Sequence, residues 1–216
     1  MTLPTSPAVR PTHLALLAAL LIFLSVAAAW LCPGGSCGTT ALDQAGLAWM
    51  SQFRSPWADR LMTAVTWLGS LYVLLPTALA LGAWQASRGD SGRRWQALFV
   101  PAALLGASAI VHALKLAVAR PRPGLFEPLV TMPIDPSFPS AHTMQACAFA
   151  AACLLQRRQR AGAWGWAVVA VFVAVIGASR IYLQVHFPTD VLAGAAVALV
   201  WVVVLRRVWP PAQAAQ

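Results

Sequence analysis

An all-α fold, six transmembrane helices in a single bundle with a site at the outer membrane interface, is what this sequence predicts, on three observations. The 216 residues are 59% hydrophobic and only 10% charged, against about 25% charged residues in ordinary soluble domains. The apolar residues gather into six runs, each roughly long enough to cross a bilayer. Arginine collects at alternate ends of those runs, and this asymmetry fixes an orientation. The net charge of +9 does not point to nucleic acid, because the basic residues are scattered between apolar runs.

Residues 1–12 form a short tail with three prolines and Arg10, and Leu14 to Leu31 is the first span. A cleaved leader is not expected, since the run is long and lacks a small-residue cleavage site before Cys32. Cys32 to Arg60 is extramembrane. A disulfide between Cys32 and Cys37 can persist on the outer side, whereas metal binding there would need a second paired cluster. Leu42, Gly46, Trp49, Met50, Phe53 and Trp57 recur at helical spacing, which fits either a short amphipathic helix lying in the interface or a loop with buried anchors.

The second span runs from Leu61 to Trp84, with Pro76 as a kink, and the third from Ala97 to Leu114. A polar, proline-rich stretch, Lys115 to Pro139, leads into the fourth, Ser140 to Leu155. The fifth is Ala163 to Ala178 and the sixth Thr189 to Leu205. Cys147 and Cys153, inside a span, are packing residues. Trp30, Trp84, Trp95, Trp164 and Trp209 stand near span ends, as interfacial anchors do. With the N-terminus inside, Arg10, Arg88, Arg93, Arg94, Arg157, Arg158, Arg160, Arg206 and Arg207 are cytoplasmic, nine of the fifteen basic residues, against the single acid Asp90. Both termini are then cytoplasmic.

This topology brings three polar clusters to the outer face, and convergence at one depth is harder to dismiss than any cluster alone. The first is Lys115-Leu-Ala-Val-Ala-Arg-Pro-Arg122-Pro123, in which Lys115 and Arg122 can clamp one phosphate. Snorkelling to head groups is the plainer reading of Lys115, and it suits Arg120 better than the clamp does. The second, Phe138-Pro139-Ser140-Ala141-His142, opens the fourth span with free backbone N–H groups and a hydroxyl, a natural anion site. His142 there can donate a proton to a leaving oxygen, or be a structural interfacial histidine like His112 and His13. The third, Ser179-Arg180-Ile-Tyr-Leu-Gln-Val-His186-Phe-Pro-Thr-Asp190, concentrates an imidazole with a carboxylate one helical turn on. Asp190 can hold one ring nitrogen as N–H and leave the other as base or nucleophile.

These three clusters resemble, in order and spacing, the three signatures of the type 2 phosphatidic acid phosphatase (PAP2) superfamily: Lys, six residues, Arg-Pro; Pro-Ser-Gly-His; and Ser-Arg, five residues, His, three residues, Asp. The resemblance implies one domain over 1–216 with its motifs within 115–190. It also implies two-step hydrolysis of a lipid phosphate with no metal or other cofactor. His186 would attack phosphorus and Asp190 would orient it; Lys115, Arg122, Ser140, Ala141, Ser179 and Arg180 would hold the phosphate oxygens; His142 would protonate the leaving group. Ala141 departs from the usual glycine; its N–H survives, but its methyl group takes space near the substrate.

The implied substrates are polyprenyl (undecaprenyl) diphosphate, phosphatidylglycerol phosphate, phosphatidic acid and lipid A phosphates, with the polyprenyl carrier favoured by analogy. The implied place is the bacterial cytoplasmic membrane, the site facing the periplasm or exterior. The alternatives are a lipid phosphotransferase using the same phosphohistidine and a non-enzymatic lipid-binding or transport protein. Vanadium haloperoxidases share the pocket, but they resemble soluble proteins.

Overall fold

The structure, a computed structural model, describes residues 38–88, 95–156 and 162–209. Every regular element among them is helical. The expected first span, Leu14 to Leu31, and the Cys32/Cys37 pair lie outside the described residues.

Helix α1, Ala41–Ser51, begins with a capping box: Thr40 Oγ1 accepts from Asp43 N and Asp43 Oδ2 accepts from Thr40 N, both at 3.2 Å. Leu47 is buried while Leu42, Trp49 and Phe53 are exposed, so the segment is a helix with an apolar outer side rather than an anchored loop. Ser55 caps α2, Pro56–Trp67, with Pro56 at a first-turn position that needs no N–H. A 44° bend separates α2 from α3, Leu71–Arg88. The sequence suggested a kink at Pro76, yet α3 runs through Pro76 and the break falls at 68–70. Packing explains that place: a Cβ on Gly69 would stand 2.5 Å from Ile176 Cγ2 and 3.2 Å from His142 O.

Helix α4, Phe99–Val118, follows a 3-10 turn at Trp95–Leu98 and ends on Ala119 in the left-handed region. An irregular segment then leads through the cis Phe138–Pro139 bond to α5, Ala141–Leu155. Helices α6, Ala163–Tyr182, and α7, Pro188–Val208, complete the described chain. Three segments are long and apolar enough to cross a bilayer, Trp95–Val118, Ala163–Tyr182 and Pro188–Val208, and the bent α2–α3 pair counts as a fourth if it is one span.

The centre of the bundle is α5, packed against α4, α6 and α7. Its buried residues include Ala146, Ala148, Ala151 and Ala152, small side chains that let helix backbones approach where lipid supplies no hydrophobic drive. At 15 residues it is shorter than the about 20 a lipid-facing span needs. Burial among its neighbours relaxes that requirement, and Ser140, Thr143 and Met144 at its start are sealed.

Several polar side chains within the bundle are partnered. Gln145 Nε2 donates to Ser108 Oγ at 3.1 Å, Trp201 Nε1 to Ala103 O at 2.9 Å, and His112 Nδ1 lies 2.6 Å from Ser108 O, the structural role expected of that histidine. Cys147 is a buried free thiol, and Cys153 is half-buried.

Candidate active site

The third sequence cluster folds as the end of α6, a tight turn and the start of α7. Gln184 takes a left-handed φ of 60° in that turn, and its side-chain amide donates to Leu47 O of α1 at 3.1 Å. His186 follows, almost fully buried. Asp190 stands one turn further on, and its Oδ2 accepts from Phe187 N at 2.9 Å and lies 3.4 Å from His186 Nδ1, the outer limit of a hydrogen bond.

The tautomer of His186 follows from its other neighbour. Arg122 Nη1 stands 3.2 Å from His186 Nε2, and a guanidinium can only donate. Nε2 therefore presents its lone pair, and Nδ1 carries the hydrogen toward Asp190. Burial, then the charges of Arg180, Arg122 and Lys115, hold the imidazole well below its ordinary value of 6.5, so it stays neutral.

The first cluster supplies two of the cations and the third supplies Arg180. Arg122 is locked by Val185 O (2.7 Å), Asp135 O (2.8 Å) and Asp135 Oδ1 (2.7 Å). Lys115, buried at the end of α4, reaches Asp135 Oδ2 at 3.0 Å and donates to Pro136 O. Burial raises the Asp135 carboxyl, but the hydrogen bonds and charges of Lys115 and Arg122 outweigh it and hold the group down at about 2. Arg180 donates through Nη1 to Thr66 Oγ1 of α2 at 2.7 Å, while its buried Nε has no hydrogen-bond partner.

The second cluster joins these through the start of α5. Ser140 N donates to Asp190 O at 3.0 Å, tying the helix end to the dyad. Ser140 Oγ accepts from Thr143 Oγ1 at 3.0 Å, so its own proton is available to a ligand. The N–H groups of Ala141 and His142, in the first turn, have no acceptor within the helix. Arg180, His186, Arg122 and Lys115 all lie within electrostatic reach of His142. Ser179 is sealed and gives its proton to Ile176 O at 2.6 Å, so it can donate to a ligand only after its hydroxyl rotates.

Three residues that the sequence reading set aside or passed over are central here. Arg120 does not snorkel. It is fully buried, with Nη1 2.6 Å from Asp190 Oδ1 and 2.8 Å from Thr189 Oγ1, and Nη2 2.7 Å from Asp43 Oδ2. Its guanidinium also stacks 4.1 Å above the Phe187 ring. Asp43 is equally sealed and takes Thr189 N and Oγ1 on its other oxygen. Asp135 was missed too.

Fold and site together define a helical membrane protein with a neutral histidine, a carboxylate behind it and a cluster of cations before it. The chain belongs to the PAP2 superfamily, whose family model matches residues 96–213, and it is a phosphatase of that type. It is 32% identical over 151 residues to phosphatidylglycerophosphatase B of Bacillus subtilis (strain 168), covering 65% of this chain and 70% of that one. It is 31% identical over 115 residues to undecaprenyl-diphosphatase BcrC of the same organism, covering 52% and 57%. Among solved structures it superposes on the transmembrane PAP2 type phosphatidylglycerolphosphate phosphatase of Bacillus subtilis with a TM-score of 0.72 at 28% identity, over 88% of this chain and 94% of that one. Aquifex aeolicus LpxE gives 0.64 at 26% identity, over 78% and 96%.

Proposed function

We propose that this protein hydrolyses the terminal phosphate of a membrane lipid through a phosphohistidine formed on His186. The observation that carries the reading is the 3.2 Å contact between Arg122 Nη1 and His186 Nε2, which points a lone pair into the place where cations converge. Nε2 bonds to phosphorus as the bond from phosphorus to the leaving oxygen breaks. That oxygen keeps the electron pair and takes a proton from His142. Arg122, Lys115, Arg180, the Ser140 hydroxyl and the first N–H groups of α5 hold the remaining oxygens and balance their charge in the transition state. Water then adds to phosphorus, giving His142 its proton back; the phosphorus–nitrogen bond breaks and inorganic phosphate leaves. Asp190 keeps the hydrogen on Nδ1 throughout and stabilises the charge that the ring acquires on phosphorylation. These residues complete the step without a metal.

The names of the relatives support a lipid phosphomonoester or diphosphate, with phosphatidylglycerol phosphate and undecaprenyl diphosphate as the two leading substrates. Six spans with both termini in the cytoplasm, and the site at the outer face of a bacterial cytoplasmic membrane, fit the arginine distribution. The test is phosphate release by purified, detergent-solubilised protein in EDTA across lipid phosphates, beside His186→Ala. Release that withstands EDTA and vanishes in the variant is expected; equal rates in a folded His186→Ala would remove the covalent step.

A further inference from the structure

Asp135 is not part of the phosphatase signatures, yet it sits on the two cations assigned to phosphate. Its two oxygens divide between Lys115 Nζ at 3.0 Å and Arg122 Nη2 at 2.7 Å, the bridging geometry of a phosphate held by the same pair. Lys115 and Arg122 are nearly sealed, whereas the Asp135 side chain is 44% exposed. The carboxylate thus lies at the mouth of the cation pair and has a path to water. The loop does not depend on it for its place, because Pro136 O and Asp135 O hold Lys115 and Arg122 through the backbone.

We propose that Asp135 is a specificity-determining residue: a resident anion that competes for Lys115 and Arg122 and admits doubly charged phosphate while turning away singly charged phosphodiesters. This rests on the reading of Lys115 and Arg122 as the phosphate clamp. A site open to the bilayer surface meets phosphodiester head groups far more often than its substrate, and bare cations would bind them. A monoanion that displaces Asp135 exchanges one negative charge for another and gains no Coulomb energy. It also loses the entropic contest, because Asp135 is tethered and needs no capture from solution. A phosphomonoester or terminal diphosphate near neutrality carries close to two charges. It therefore wins the exchange, and the displaced carboxylate swings to solvent. Asp135 remains an anion at any working pH, as its hold at about 2 requires.

The competition can be read without turnover. Binding of inorganic phosphate and of dimethyl phosphate, at about pH 8 where the first is a dianion and the second a monoanion, is measured by calorimetry on the detergent-solubilised full chain, Asp135→Asn and Asp135→Glu. The ratio of the two dissociation constants is expected to shrink about tenfold in Asp135→Asn, the effect of removing one partly screened charge, and to persist in Asp135→Glu. In turnover, phosphatidylglycerol mixed into substrate micelles is expected to inhibit Asp135→Asn at about tenfold lower mole fraction than wild type. An unchanged ratio in Asp135→Asn, or wild-type protein that binds neither anion, overturns the proposal. Discrimination that follows Asp135 in a protein that releases no phosphate keeps it while removing the phosphohistidine reading. Should Asp135→Asn fail to fold, a ratio in Asp135→Glu that differs from wild type by no more than a few-fold supports the proposal, and a ratio collapsed to that of a bare cation pair sinks it.

Discussion

Arg120 binds Asp190 through Nη1 at 2.6 Å and Asp43 through Nη2 at 2.7 Å, with all three side chains sealed from solvent. One guanidinium thus joins the carboxylate behind His186 to the first turn of α1. Without Arg120, two carboxylates would share a dry pocket with no cation between them.

Arg120→Met keeps most of the volume and removes the charge. Breaking a buried ion pair by deleting one partner costs about 3–5 kcal/mol, so a large fall in unfolding temperature is expected. Asp43→Asn combined with Arg120→Met recovers part of it, because one stranded charge goes with its partner. Thermal unfolding of wild type, both single variants and the double variant checks this, and additive losses would show that the bridge is not a unit.

Much of this centre was legible in the sequence, and the part that was not has one cause. Lys115, Arg122, His142, His186 and Asp190 stand in spaced motifs whose chemistry can be read residue by residue. Arg120 carries no such mark: two residues before Arg122 and flanked by Ala119 and Pro121, it resembles any interfacial arginine. Its burial depends on Asp43, 77 residues away in sequence. Asp43 itself is a helix-capping acid three residues after Thr40, which already accounts for it locally. The bend at Gly69 was hidden for the same reason, since a proline at 76 is a visible signal and contact with Ile176 is not.

Thr66 is the buried partner of Arg180, at 2.7 Å across α2 and α6. Thr66→Val preserves shape and deletes the acceptor. Hydrogen bonds to charged groups contribute about 1.5–3 kcal/mol. With Arg180 proposed to hold the substrate phosphate, a guanidinium free to turn would clamp it less well, so KM for lipid phosphate is expected to rise about tenfold. Steady-state kinetics on Thr66→Val and Thr66→Ser decide it. Serine, which keeps the hydroxyl, should stay near wild type, and equal losses in both would assign Thr66 to packing alone.

Gly194 lets α7 pass against the opening of α5. A Cβ there would stand 2.9 Å from Ser140 O, closer than real contacts allow, and Ser140 N is the group that donates to Asp190 O. Gly194→Val must therefore push the α5 terminus away from the dyad. Overpacking costs about 1–3 kcal/mol, and a loss of kcat larger than the loss of stability is expected because the displacement falls on the groups proposed to act in catalysis. Unfolding temperature and kcat measured together test this; a destabilised enzyme with normal kcat would uncouple Gly194 from the site.

The depressed pKa of His186 makes a prediction about acid. A histidine already neutral cannot set an acid limb near its ordinary 6.5. The fall in kcat/KM on acidification should instead follow the second ionisation of the substrate phosphate, at about pH 6. A substrate analogue with a lower second ionisation should carry the limb down by the same amount, and a limb that stays in place would belong to the enzyme. Stability is linked to the same group. The unfolded chain protonates His186 near 6.5 while the folded chain does not, so below 6.5 the unfolded state binds more protons and stability falls as pH drops toward the folded value. His186→Asn removes that proton uptake. The unfolding temperature of wild type should therefore drop more than that of the variant between about pH 7.5 and about pH 5.5, and parallel drops would mean that His186 is not held neutral in the folded protein.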